Sequence, residues 1–228
     1  MTTPQIKQNL EHISCWIFDL DNTLYPITKS MLSQLDAQMS NFVANFLKVE
    51  ITEARKIQKR YFQKYGLTLK GLMLNHGLDP NKFFDEVGSI DLNKIYPNPD
   101  LGHAIKSLPG RKIIYTNSSI QHAQLILDRL GFPEVFDAIF DITAANYIPK
   151  PDVVAYKNLC SLHKINPQEA AMVDDIAKNL EPAASLGMTT IWMQTNTEWA
   201  QNNTSEKNIH FITDDIYQWI HKMGTMGS

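Results

Sequence analysis

The sequence predicts a doubly wound α/β fold, a Rossmann-like parallel sheet with helices on both faces, interrupted near its start by an all-helical insertion. Three observations predict it. Short apolar runs alternate with helical periodicity over the second half of the chain. The block from Ile27 to about Val87 has helical spacing and no convincing strand. Each residue with chemical potential follows directly on a short apolar run. In an open α/β sheet the loops beyond the carboxyl ends of the strands share one edge, and ligands bind there.

The first strand is the run Ile13-Ser14-Cys15-Trp16-Ile17-Phe18, short, aromatic and β-branched, which stops at two acids. In the insertion, Met31, Leu32, Leu35, Met39, Phe42, Val43, Phe46 and Leu47 recur at helical spacing. A second helix runs from Thr52, a candidate N-cap, to Tyr65 before Gly66. Shorter helices follow at 69–75 and 80–87. Tyr96-Pro97-Asn98-Pro99 marks the return to the sheet. Then come a helix at 99–108, a strand at 112–115, a helix at 121–130 closed by Gly131, and a short strand at 138–140. A helix at 151–163, a strand at 170–173, a helix at 177–186 closed by Gly187 and a strand at 189–193 complete the main pattern. A weaker strand at 209–212 precedes a last helix at 214–221, capped by Asp214 or Asp215. The expected division is an α/β core of residues 1–24 and 97–228 and a helical cap of residues 25–96.

A length of 228 residues suits one domain, or one domain with a sizeable insertion. The formal net charge is −3 and no basic stripe is visible, which argues against a nucleic acid polymer as partner. No apolar run is long enough to span a membrane. Met1-Thr2-Thr3-Pro4-Gln5 has no basic region followed by an apolar one, so no secretory signal is seen. The tail from Met223 to Ser228 reads as frayed. Cys15 and Cys160 are the two cysteines, lack metal-ligand spacing and read as small core residues. A reducing cytoplasm is the expected location.

Four clusters fall after four strands: Asp19 and Asp21; Thr116, Asn117 and Ser118; Lys150; Asp174 and Asp175. Carboxylates packed together repel, and need a cation, a shared proton or water. A divalent cation lets them stay ionised and attracts phosphate. The set suits phosphoryl transfer. A carboxylate can attack phosphorus, a metal held by oxygens can offset charge, and lysine with backbone amides can hold phosphate oxygens.

Taken singly, each cluster has a plainer reading. Asp19 and Asp21 alone suit a helix cap or a calcium loop, although Leu24 stands where that loop has glycine. Asp174-Asp175 alone suits a solvated turn, Thr116-Asn117 a cap, and Lys150 a surface lysine. His122 reads as a structural or capping histidine. Tyr25 and Lys70 are cap or hinge candidates.

Together and in order, Asp19-Leu20-Asp21-Asn22-Thr23, Thr116-Asn117, Lys150-Pro151 and Asp174-Asp175 resemble the four motifs of the haloacid dehalogenase superfamily. Several stretches are similar to its pyrimidine 5'-nucleotidase-like branch. They are Leu24-Tyr25-Pro26, Tyr65-Gly66-Leu67-Thr68-Leu69-Lys70-Gly71-Leu72, His122-Ala123, Leu130-Gly131 and Gly187-Met188. The resemblance implies a nucleophile at Asp19 and a general acid/base at Asp21. It implies Mg2+ held by the Asp19 carboxylate, the Asp21 carbonyl and Asp175, with Asp174 acting through water or exchanged in role with Asp175. It implies phosphate held by Thr116, the Asn117 backbone and Lys150, with Asn179 supporting the acidic pair. Ile176 stands where the family often has a hydroxyl. The activity implied is a phosphomonoester hydrolase for pyrimidine nucleoside 5'-monophosphates. Alternatives are a phosphatase for sugar phosphates or phosphoglycolate, a phosphomutase, and a non-catalytic phosphate-binding protein. Dehalogenation fits less well, because the family's dehalogenases lack the second aspartate present here as Asp21.

Overall fold

The computed structural model describes residues 10–87, 91–195 and 206–224. The sequence readings at residues 1–5 and 225–228 lie outside them. The described residues form two compact units: Met1–Pro26 with Ile95–Ser228, and Ile27–Lys94.

The first unit is built on six parallel strands: β1 (Cys15–Phe18), β2 (Arg111–Tyr115), β3 (Ala138–Phe140), β4 (Ala170–Asp174), β5 (Thr189–Met193) and β6 (Phe211–Thr213). Their order across the sheet is β3-β2-β1-β4-β5-β6. The chain winds outward from β1 to β3, returns to the other side of β1, and winds out again. That reversal is the topological switch point, where open α/β sheets bind ligands. All of β1 and all of β4 are buried, so both strands read as unbroken apolar runs rather than alternating ones. Flanking helices seal the faces, and Tyr115, Phe140, Tyr156, Leu159, Met172 and Leu180 pack in one core cluster. Burial pushes the Cys15 thiol up to about 11, which keeps it a neutral core residue.

The second unit is helical: α1 (Lys29–Leu47), α2 (Ile51–Tyr65), α3 (Thr68–His76) and α4 (Pro80–Glu86). Thr28 caps α1, its hydroxyl accepting from Met31 N, and Asp79 caps α4. Thr52 is not the cap of α2. The helix starts at Ile51, after an extended Glu50 whose carbonyl accepts from Glu53 N and Ala54 N. Gly66 ends α2 at φ 77°, a left-handed position that suits glycine.

The first unit carries α5 (Pro99–Ser107), α6 (Ile120–Leu130), α7 (Val153–His163), α8 (Ala177–Ser185) and α9 (Ile216–Gly224). Helix α7 starts at Val153 rather than Pro151, because Asp152 takes the cap position and accepts from Val154 N. At the end of the chain β6 and α9 begin later than the hydropathy suggests. Asp215 accepts from Gln218 N and so starts α9 at Ile216. Met223, read as frayed, is a buried residue of α9.

The division differs from the sequence expectation by a few residues. The helical unit begins at Ile27 rather than Tyr25, because Tyr25 bridges back to Asp21. It ends at Lys94 rather than Tyr96. Ile95 is buried, and its carbonyl accepts from the Arg129 side chain of α6.

Candidate active site

Register alone brings the first acids together. Phe18 pairs with Val173 on one side and Ile114 on the other. Asp19 N donates to the Val173 carbonyl at 2.9 Å, so Asp19 stands beside Asp174, and Tyr115-Thr116 flank it across β1. Asp19, Asp174 and Asp175 each offer an oxygen within 4.8 Å of the others, and all three are buried.

Lys150 enters this cluster from the loop after β3 and is only 5% exposed. Its ammonium donates to Asp19 Oδ1 at 2.7 Å, to Asp174 Oδ2 at 2.7 Å and to the Tyr115 carbonyl at 3.0 Å. An ammonium has three hydrogens, so these acceptors use all of them. Lys150 here fixes two carboxylates, a task beyond the phosphate contact expected from its position in sequence. The Asn117 side chain fixes the lysine's own backbone, accepting from Lys150 N at 2.8 Å.

Asp19 is held at both oxygens, since Thr23 donates to Oδ2 at 2.7 Å. Thr23 Oγ1 also accepts from Asp175 N, which ties the loops after β1 and β4. Asp174 is the more saturated member of the acidic pair. Beyond Lys150, it accepts from Ile176 N and from Asn179 Nδ2, both at 2.9 Å on Oδ1. Ile176 is the N-cap of α8 and has no side chain to cap with. The Asp174 carboxylate meets its amide instead. Asp175 accepts from Asn22 Nδ2 at 2.6 Å, and its carbonyl accepts from the Trp192 indole.

One ammonium beside three buried carboxylates leaves excess negative charge. Burial raises Asp19 well above the ordinary carboxylate range; Lys150 opposes the rise, while Asp174 and Asp21 add to it. Burial raises Asp175 likewise, reinforced by Asp19 and Asp174. Burial works against the Lys150 charge, but Asp174 and Asp19 outweigh it and hold its pKa above the ordinary value.

Asp21 stands apart from that cluster. Its Oδ1 accepts from the Tyr25 hydroxyl at 2.6 Å and lies 2.9 Å from His122 Nε2. Its Oδ2 accepts from the Ser118 hydroxyl at 2.8 Å and the Thr116 hydroxyl at 3.5 Å. Burial alone would raise its pKa; His122, Tyr25 and Ser118 outweigh that and hold it down at about 2. The Asp21 side chain therefore joins no carboxylate metal cluster, and only its carbonyl is left for the ligand role expected of it.

Sequence reasoning missed part of this constellation. His122 is not a capping residue: Ser119 caps α6 and accepts from His122 N, while the imidazole reaches Asp21. Tyr25 belongs to the α/β unit and contacts Asp21, whereas Lys70 lies on α3 of the helical unit. Thr23 and Tyr25 each follow by four residues the acid they bind, a spacing that offered a signal. For His122 the sequence offered only the His122-Ala123 stretch of the family resemblance, with no spacing to Asp21 to read.

The family model for haloacid dehalogenase-like hydrolase matches residues 13–187. "Phosphate metabolism protein 8" of Saccharomyces cerevisiae is 30% identical over 192 residues, covering 76% of this chain and 59% of that protein. Phosphoglycolate phosphatase of Psychrobacter arcticus is 26% identical over 125 residues, covering 53% of each. The chain thus spans little more than half the length of these relatives. L-2-haloacid dehalogenase from Xanthobacter autotrophicus, solved with chloropropionic acid covalently bound, shares the fold with a TM-score of 0.59. That likeness covers 94% of this chain and 99% of the dehalogenase at 14% identity.

Proposed function

This chain belongs to the haloacid dehalogenase-like hydrolase family, and from that premise we propose that it is a magnesium-dependent phosphomonoester hydrolase acting through an aspartyl-phosphate on Asp19. The observation that carries this reading is the buried trio Asp19, Asp174 and Asp175 with Lys150 as its ammonium. Oxygen donors in excess negative charge suit a hard divalent cation. The residues that would hold it are Asp19, Asp175 and the Asp21 carbonyl. Asp174, already occupied by three donors, supports them. When bound, the cation offsets charge on the transferring phosphoryl group.

Asp19, oriented by Lys150 and Thr23, attacks phosphorus. The bond from phosphorus to the ester oxygen breaks, and Asp21, ionised in the resting protein, first takes up a proton from solvent and passes it to that oxygen. Asp21 then takes a proton from water, which attacks phosphorus and restores the Asp19 carboxylate. Thr116 and the Asn117 backbone hold phosphate oxygens in this scheme, and Lys150 joins them by turning one hydrogen away from its three present acceptors. We assign substrate selection to the helical unit, read as a cap. Both cysteines are free thiols, in keeping with a reducing cytoplasmic setting. No helix among the described residues is long and apolar enough to cross a membrane.

The motif stretches around Tyr25, Gly71 and His122 favour pyrimidine nucleoside 5'-monophosphates. Similarity to a phosphoglycolate phosphatase favours a second reading, a small phosphorylated acid or sugar. Phosphate release from a panel of nucleoside monophosphates, sugar phosphates and phosphoglycolate, with magnesium and with chelator, separates them. Metal-dependent release concentrated on UMP and CMP supports the first reading, and release concentrated on phosphoglycolate or sugar phosphates the second. No release from any ester by folded protein with magnesium refutes both.

A further inference from the structure

Residues 48–70 hold seven lysines and arginines against two glutamates, in a chain whose formal net charge is −3. The overall charge conceals this basic stripe, and winding the residues into α2 assembles it. Ala54, Ile57 and Tyr61 are the buried side of that helix. Arg55, Lys59 and Phe62 recur at i, i+4 and i+7, so they share one stripe of its solvent side. Lys56 and Arg60 form the adjoining stripe, which Lys64 extends. All five basic residues are exposed, and they span about 14 Å of helix.

Little within the fold offsets this crowding of charge. Like charges four residues apart repel and weaken a helix. Among the described residues, only Lys56 of the five has an ion pair, with the exposed Glu53 at 3.5 Å. Arg60 and Lys64 lie over the rings of their own neighbours Tyr61 and Tyr65, which leaves their charge uncancelled. Two large apolar side chains also stand bare in the helical unit: Phe62 is 60% exposed and Leu74 is 66% exposed. They flank one place, where Gly71 of α3 abuts the Tyr61 side chain of α2. Phe62 follows Tyr61 on α2, and Leu74 lies about one turn beyond Gly71 on α3.

We infer that the solvent side of α2, with Leu74 of α3 beside it, docks on an anionic phospholipid surface. Screening limits such an encounter to nearby charges, because the Debye length is about 8 Å at physiological ionic strength. The basic stripe therefore acts with its own sign and not with the overall −3 of the chain. Each lysine or arginine close to an anionic bilayer strengthens binding. Stable anchoring takes a second contribution, from apolar groups that enter the acyl boundary, and salt does not screen that one. Phe62 and Leu74 supply it. A nucleic acid would engage the same cations, and Phe62 can stack on a base, but the aliphatic Leu74 matches acyl chains and offers nothing to a base face or a phosphate.

The test is co-sedimentation of the full chain with vesicles of phosphatidylcholine alone and of equimolar phosphatidylcholine and phosphatidylglycerol. Wild-type protein is expected on the anionic vesicles only, and less of it as salt is raised. Arg55→Glu combined with Lys59→Glu should lower the partition coefficient by about tenfold or more. Phe62→Ala combined with Leu74→Ala should lower it by about tenfold and leave its salt dependence in place. All four positions are exposed, so both double variants should keep the wild-type melting temperature. Where the charge reversal does not, Arg55→Gln with Lys59→Gln replaces it, with a loss in the same direction. No binding to anionic vesicles, equal binding to both kinds, or anionic binding indifferent to both double variants would overturn the assignment. Tighter binding to single-stranded RNA than to the vesicles, weakened by the charge reversal and indifferent to Phe62 and Leu74, would assign this face to nucleic acid instead.

Discussion

Lys150 Nζ lies 2.7 Å from Asp19 Oδ1, and the same ammonium serves Asp174 in a cluster of three buried carboxylates. Removing one partner of a buried charge pair leaves the other uncompensated, at a typical cost of about 3–5 kcal/mol. Lys150→Met is expected to lower the stability of the metal-free protein by about 3 kcal/mol near neutral pH. The loss should shrink near pH 5, where protonation of Asp19 relieves the uncompensated charge. Urea titrations at both pH values read this, and equal losses at both would contradict it.

Asp19 and Asp175 both titrate above the ordinary carboxylate value of about 3.9. Groups whose native pKa is raised contribute stability that is full below the unfolded pKa and is lost as pH rises through the native one. The metal-free protein should therefore lose stability as pH rises from about 4 through neutrality. A cation at the site takes over the role of those protons. Magnesium should raise the melting temperature by an amount that grows with pH. A magnesium effect independent of pH, read by thermal scans in chelator and in excess magnesium, would count against a metal at this cluster.

Asp19→Asn should separate activity from stability. The amide cannot serve as the nucleophile, so turnover should fall by at least about a thousandfold. The same change removes one of three crowded negative charges while keeping a carbonyl acceptor for Lys150; the amide NH2 takes the position that accepted from Thr23. The metal-free melting temperature should hold or rise. Retained turnover would contradict the nucleophile assignment, and a large fall in melting temperature the electrostatic one.

Gly71→Ala tests packing inside the helical unit. Alanine favours helix over glycine by about 1 kcal/mol, which would stabilise α3. A Cβ at Gly71, however, lands on the Tyr61 side chain of α2. That ring is fixed by a 2.6 Å contact from its hydroxyl to His76 Nε2 and by edge packing on Tyr65. Overpacking of this kind costs about 1–3 kcal/mol, so the net effect should be a lower melting temperature. A rise would show that Tyr61 yields.

The element order was legible because its signals are local. Apolar runs of strand length, helical spacing and the glycines after α2 and α6 each act within a few residues, and β3 and β5 have the bounds read from hydropathy. Thr52 shows the limit. A threonine can cap a helix, but the extended backbone at Glu50 starts α2 one residue ahead of it. Gathering Asp19, Thr116, Lys150 and Asp174 at one sheet edge was legible too, because parallel strands put all the loops after them on the same side.

By itself, then, the sequence determined a parallel α/β sheet, a helical insertion and a set of acids and one lysine at the strand ends. Only the tertiary structure decided what each oxygen meets. It gave Lys150 to both Asp19 and Asp174, Asn22 to Asp175, and His122 to Asp21. Those partners lie 131, 24, 153 and 101 residues apart in the chain. A hydrogen bond tolerates only a few tenths of an ångström. Distances that fine are set by how the strands register and pack, which local patterns along a chain do not encode.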